Sequence, residues 1–232
     1  MIVYGRNPVR EALRGPRDVT GLWASERMAT EPWLRDAGAP LAVEDGEALA
    51  RRCGSHEHQG VCADVAPYEY ADGDVLLAGD APLIVALDEV QDPQNVGAIC
   101  RTAECVGATG VVLTRRRSAE VTPAVCKASA GAVEHLAVAR VRNLADFLAE
   151  AKRADCWVYG ADAGAEEAYD APDYSGGVVC VLGSEGRGLR PRVAGACDAL
   201  VSLPLRGRLE SLNVSATAAV LLYEILQRRE SA

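Results

Sequence analysis

Leu83-Ile-Val-Ala-Leu-Asp-Glu-Val-Gln-Asp-Pro-Gln-Asn-Val-Gly-Ala-Ile-Cys-Arg-Thr-Ala-Glu-Cys-Val-Gly-Ala-Thr-Gly-Val-Val-Leu-Thr114 decides the fold class. A short apolar run, 83–87, leads through a polar turn into a stretch where Val96, Ile99, Cys100, Ala103 and Val106 recur at helical spacing. A second apolar run, 110–114, follows. Short apolar runs bounded by turns read as buried strands, and the 3.6-residue spacing reads as a helix over 95–106. The rhythm continues outward, with strands expected at 135–140, 156–160, 178–182 and 199–203 and helices at 123–130, 144–153, 189–196 and 213–229. Strands alternating with helices predict an α/β fold, a parallel sheet covered by helices on both faces.

Composition agrees. Apolar residues make up 49% of the 232-residue chain, with one Phe and three Trp, so Val, Leu, Ile and Ala must form the core, as parallel sheets prefer. No apolar run reaches the ~18 residues that span a bilayer. Residues 1–6, Met-Ile-Val-Tyr-Gly-Arg, lack a secretory signal pattern. A cytoplasmic protein is expected. Upstream of the sheet, residues 1–67 read as a separate small α/β domain, with a helix start at Asn7-Pro8 capped by Asn7. Strands are expected there at 19–24 and 60–65, and helices at 26–37 and 46–53. Residues 68–81, acidic and closed by Asp80-Ala81, read as a linker with a short docking turn at Val75-Leu-Leu77. The second domain is 82–232.

Eight cysteines without a Cys-x-x-Cys pair read as small buried apolar side chains in a reducing compartment. Cys53, His56, His58 and Cys62 are four potential metal ligands in ten residues, but their spacing is not that of a zinc knuckle, and no metal is expected. The net charge of −9 is spread evenly and argues against general nucleic-acid affinity. One local patch, Arg115-Arg-Arg117 after a strand, is either a solvated loop or a phosphate contact.

Three segments after 82 combine flexible backbone with committed polar side chains, and each adjoins a strand-like run. They are 92–102, 182–188 and 203–215. Such loops at the C-terminal edge of a parallel sheet form a ligand pocket. Arg101 lies off the apolar stripe of its helix, and Gly97, one turn earlier, is expected to leave room there for a substrate phosphate or sugar. Gly183-Ser-Glu-Gly-Arg-Gly188 is not a dinucleotide fingerprint. Glu185 would repel a pyrophosphate and suits a neutral or cationic ligand better. Asn95, Ser211 and Asn213 each have a plain alternative as helix caps.

Together the segments resemble the three motifs of the SpoU, or TrmH, family of RNA ribose 2′-O-methyltransferases. Asn95-x-Gly-x-x-x-Arg101, Gly183-Ser-Glu185-Gly and Pro204…Ser211-Leu-Asn213-Val-Ser215 are the matching stretches. In the first domain, Tyr4-Gly-Arg-Asn-Pro-Val-Arg-Glu-Ala-Leu13 and His58-Gln-Gly60 resemble the substrate-binding extension of the branch that methylates a guanosine of 23S ribosomal RNA. That extension is itself similar to a kink-turn-binding ribosomal protein. The resemblance implies a sheet domain tied in a C-terminal trefoil knot, S-adenosylmethionine as methyl donor, RNA as substrate and a homodimer. It implies Gly183, Leu203 and Leu212 at the cofactor, Arg101 at the reacting ribose, and Asn95, Glu185, Ser211 and Asn213 around it.

Methyl transfer from a sulfonium is an in-line displacement that depends on positioning, and the acceptor hydroxyl must lose its proton as the bond forms. A guanidinium holds its proton at neutral pH. Arg101 is therefore expected to hold the neighbouring phosphate and stabilise the developing alkoxide, with Glu185 orienting the loops. Other specificities in the family, a transfer-RNA guanosine or an antibiotic-resistance methylase, are the nearest alternatives. A non-catalytic RNA-binding or ribosome-assembly module and an ordinary doubly wound nucleotide enzyme are further off.

Overall fold

The computed structural model describes residues 1–231. Two sheets organise it. The first holds β1 (Ile2–Tyr4), β2 (Val19–Ala24), β3 (Leu41–Val43) and β4 (Val61–Val65) in the order β1-β4-β2-β3. Its helices are α1 (Arg6–Ala12), α2 (Glu26–Ala29), α3 (Pro32–Arg35) and α4 (Gly46–Cys53). The helix expected over 26–37 is broken in two, because Pro32 has no N–H to continue α2 and instead starts α3. Asn7 is not a cap. Gly5 holds that position at φ 99, a left-handed value that glycine adopts without strain, and α1 begins at Arg6.

After the one-turn α5 (Gly73–Leu76), the chain builds a second sheet of seven strands, every pair parallel. Its strands are β5 (Leu83–Asp88), β6 (Gly110–Thr114), β7 (Ala137–Val141), β8 (Cys156–Ala161), β9 (Glu167–Ala168), β10 (Gly177–Gly183) and β11 (Ala199–Ser202), in the order β7-β6-β5-β10-β8-β11-β9. The helices are α6 (Pro93–Cys105), α7 (Pro123–Ala128), α8 (Leu144–Arg153), α9 (Pro191–Ala194) and α10 (Val214–Ser231). The 189–196 helix shrinks to one turn, since Pro191 can only sit in its first turn.

The strand period of two sorts side chains to the two faces. Leu83, Val85 and Leu87 of β5 join Val96 and Ile99 of α6 and Leu221 and Ile225 of α10 in one cluster. Ile84 and Ala86 face the other way, toward Leu144 and Leu148 of α8. Helices therefore cover both faces. No described helix is long and apolar enough to cross a membrane.

Gly97 corrects an expectation. A Cβ there would lie 2.4 Å from the Ala128 Cβ and 2.8 Å from the Ser129 backbone nitrogen. The missing side chain lets α6 and α7 touch, and it opens no space for a substrate. Gly97→Ala is expected to cost about 1–3 kcal/mol of stability through overpacking, read from the shift in a urea unfolding midpoint. An unchanged midpoint would contradict this.

The two sheets are joined by buried charge and by the intervening chain. Arg17, before β2, forks onto Glu134, its Nε donating to Glu134 Oε2 at 2.8 Å, with the side chains 7% and 0% exposed. Tyr68 donates to the Leu136 carbonyl at 3.1 Å, the Val121 amide donates to Tyr70 at 2.9 Å, and Ala71 bridges Ala139 of β7. Residues 68–71 thus lie against the second sheet instead of swinging free.

Candidate active site

Parallel strands send their C-terminal ends to one edge of the sheet, and the loops leaving β5 and β10 meet there. Asp92 caps α6 by accepting from the Gln94 amide at 2.9 Å, and Pro93 takes the first helical position. Asn95, one turn in, is buried at 6% exposure. Its Nδ2 donates to Asp92 Oδ2 at 3.1 Å and to Glu185 Oε1 at 2.5 Å.

Glu185 is delivered by a tight loop. Ser184 and Gly188 exchange backbone hydrogen bonds at 3.2 and 2.9 Å, with Gly186 and Gly188 at φ 75 and 66. A Cβ at Gly183 would lie 2.2 Å from the Gly188 carbonyl carbon, so only glycine lets the loop close on its own root.

Asn213 completes the triangle. Its Nδ2 donates to Asn95 Oδ1 and to Glu185 Oε1, both at 3.0 Å. Its Oδ1 accepts from the Ser215 amide at 2.8 Å at the start of α10. Asn213 thus caps α10 and at the same time joins Asn95 and Glu185 in one hydrogen-bonded group. Residues 95, 185 and 213, far apart in sequence, share one network with no cation in it. Glu185 has no salt-bridge partner among the described residues, so its charge is answered by two amide groups alone.

Not every expected site residue joins. Arg101 is exposed on α6, and its side chain makes no hydrogen bond or ion pair among the described residues. Ser211 is exposed and outside the network. Leu203 is half-buried and Leu212 is 46% exposed, with Leu205 and Leu209 open beside them. Two residues escaped the sequence reading. Asp92 anchors Asn95, and its signal was the Asp-Pro pair opening a helix. Asp88, fully buried at the end of β5, accepts from the Arg190 amide and Nε, both at 2.8 Å. Glu89 beside it sits at φ 59, a costly value for a non-glycine residue, and pairs with Arg190 at 3.1 Å. Strain of that kind concentrates at functional sites.

The SpoU rRNA methylase family model matches residues 82–223, the stretch that carries this network. The chain belongs to that family. A second model, RNA 2′-O ribose methyltransferase substrate binding, matches residues 2–71. YacO of Bacillus subtilis, which carries the name of a TrmH family tRNA/rRNA methyltransferase, is 40% identical over 239 residues, covering 98% of this chain and 95% of its own. An uncharacterised tRNA/rRNA methyltransferase of Mycobacterium ulcerans is 43% identical over 241 residues, covering 99% of this chain and 77% of its own. Among solved structures, the SpoU methyltransferase AviRb from Streptomyces viridochromogenes, in complex with AdoMet, superposes with a TM-score of 0.85. It is 24% identical and covers 100% of this chain and 91% of its own, so it shows the shared fold. An AdoMet-bound rRNA methyltransferase from Sinorhizobium meliloti gives 0.81 at 25% identity, over 97% and 86%. This chain is thus a SpoU-type RNA methyltransferase.

The cysteine and histidine run has other occupations in this SpoU chain. His58 Nδ1 accepts from the Gly60 amide at 3.0 Å, closing a turn. Cys62 is buried in β4, and that burial pushes its thiol well above the usual range, disfavouring the thiolate a metal needs. No group of described residues could hold a metal ion. Elemental analysis of purified protein is expected to find zinc well below one equivalent, and a stoichiometric amount would overturn this reading.

Proposed function

We propose that this protein transfers a methyl group from S-adenosylmethionine to the ribose 2′-hydroxyl of a guanosine in 23S ribosomal RNA. The observation that carries the reading is the Asn95–Glu185–Asn213 network, which gathers three motif segments around one sheet edge while leaving the Arg101 guanidinium free. S-adenosylmethionine supplies an electrophilic methyl on a positively charged sulfur. Gly183, Leu203 and Leu212 would line its pocket. The residues suit it: Leu212 is open next to Asn213, which holds a carboxylate that has no cationic partner, and this favours a cation carrying an aromatic base and disfavours a pyrophosphate.

Within that site, Asn95 and Asn213 fix Glu185, and through it the loop over the pocket. Arg101 grips the phosphate next to the target ribose and stabilises the oxyanion as the hydroxyl proton leaves. Ser211, on the exposed loop beside Asn213, closes the substrate side. Residues 1–67 read the RNA target by shape, in keeping with a chain too acidic for tight non-specific binding.

Two architectural features go with this reading. A trefoil knot fits the path of the last quarter of the chain. Beyond β11, on the far side of β8, the chain returns to set Asn213 against Glu185 and to lay α10 across β10 onto α6. A homodimer fits the open apolar side chains of α10, Val220 at 39% and Tyr223 at 53% exposure.

Calorimetric titration with S-adenosylmethionine, together with mapping of ribose methylation on ribosomal RNA from cells with and without the protein, tests the proposal. Heat of binding and one methyl mark that disappears are expected. Neither heat nor a lost mark would end it.

A further inference from the structure

We propose that a second cleft, separate from the Asn95–Glu185–Asn213 network, binds the phosphodiester backbone of the RNA beside the methylated nucleotide. The proposal rests on the RNA-methylating reading and adds a site to it. The cleft, about 720 Å³, lies at the same C-terminal edge of the sheet but toward the α8 face. Arg115, Arg140, Arg142, Arg190 and Arg192 line it. Five arginines converging on one hollow is an unusual concentration in a chain of net charge −9.

Their pairing decides which are available. Arg190 is committed to Asp88 and Glu89, and Arg140 reaches Glu120 at 2.8 Å. Arg192 meets Asp146 at 2.9 Å in a pair whose side chains are 71% and 62% exposed, an exchangeable contact. The Arg115 side chain donates only to the Arg140 carbonyl, at 3.3 Å, and among the described residues the Arg142 side chain has no partner at all. Two guanidinium groups of this concavity, one at the end of β6 and one at the end of β7, therefore pair with none of the carboxylates among the described residues. Asp72, Asp74 and Glu150 share the lining, so the cleft suits a strand that touches it with one or two phosphates and disfavours a free polyphosphate.

Arg190 links this cleft to the active site. The carboxylates it holds, Asp88 and Glu89, open the loop that leads to Asp92 and Asn95, and Arg190 itself follows the Glu185 loop. A strand seated on Arg115 and Arg142 would continue over that loop toward the reacting ribose. The Arg115-Arg-Arg117 run is then a phosphate contact through Arg115, and not merely a solvated turn.

The test is Arg115→Ala with Arg142→Ala in one chain, probed with an unmethylated transcript of 23S ribosomal RNA at several salt concentrations. Fluorescence anisotropy is expected to show about tenfold weaker binding and a log–log salt slope shallower by about 1 to 2, as loss of two phosphate contacts requires. The KM for RNA should rise in step while kcat stays within twofold, and the double lysine variant, which keeps the charges, should recover most of the salt slope. Binding and slope unchanged in the alanine variant, with its far-ultraviolet circular dichroism intact, would overturn the cleft. Absence of any methyl transfer by the wild-type protein would instead defeat the proposed function, and the anisotropy comparison would still decide the cleft.

Discussion

Arg101→Lys is expected to lower kcat for RNA methylation by about 10²-fold or more while S-adenosylmethionine still binds with unchanged affinity. The Arg101 side chain is exposed and holds nothing in the fold, so its replacement carries no unfolding penalty to confuse the measurement. Lysine keeps the charge and the helical propensity. What it loses is the planar fork that can hold two phosphate oxygens, or a phosphate and the developing alkoxide, in fixed geometry. A site that works by positioning feels that loss in kcat, whereas a site that needs only a positive field would not. Single-turnover rates at saturating RNA separate these cases. A lysine variant within threefold of the parent would remove Arg101 from its proposed role.

Glu134→Ala is expected to destabilise the protein by about 3–5 kcal/mol, because it strands a buried guanidinium with no counter-charge. The Arg17 side chain is 7% exposed, and its other partners, the Ala66 carbonyl at 2.9 Å and the Tyr68 ring at 5.4 Å, carry no counter-charge. Burial works against the charge on Arg17, and the hydrogen bonds and charge of Glu134 outweigh it. The double variant Arg17→Met with Glu134→Leu should be far milder, within about 1–2 kcal/mol of the parent, since it removes both charges together. The comparison, made by chemical denaturation, distinguishes a pair that stabilises from one that merely must not be broken. The pair also sits where the N-terminal sheet meets the second, so the single variant should loosen that junction before the parallel sheet itself unfolds. Equal midpoints for Glu134→Ala and the parent would contradict the buried-pair account.

The parallel sheet was legible because its strands are buried on both faces and read as unbroken apolar runs, as in Leu83-Ile-Val-Ala-Leu87 and Val178-Val-Cys-Val-Leu182. The N-terminal unit was harder. β1 and β3 are three residues each, too short for a two-residue period to show, and β1 exists only because β4 is there to pair with it.

The candidate site was legible as composition and not as geometry. Sequence placed Asn95, Glu185 and Asn213 in three suspicious loops, but that their polar atoms converge within 3.0 Å depends on parallel strands ending at a common edge. Gly97 was misread for a related reason. A helical glycine signals that something comes close, and sequence alone does not say whether the visitor is a ligand or another helix. Here it is α7.

The most direct test of the account incubates the purified protein with methyl-labelled S-adenosylmethionine and unmethylated 23S ribosomal RNA, then digests the RNA to nucleosides. The account predicts label recovered in 2′-O-methylguanosine from one position, and its disappearance in the Arg101 variant. Label on a nucleobase, or none on RNA at all, would contradict it.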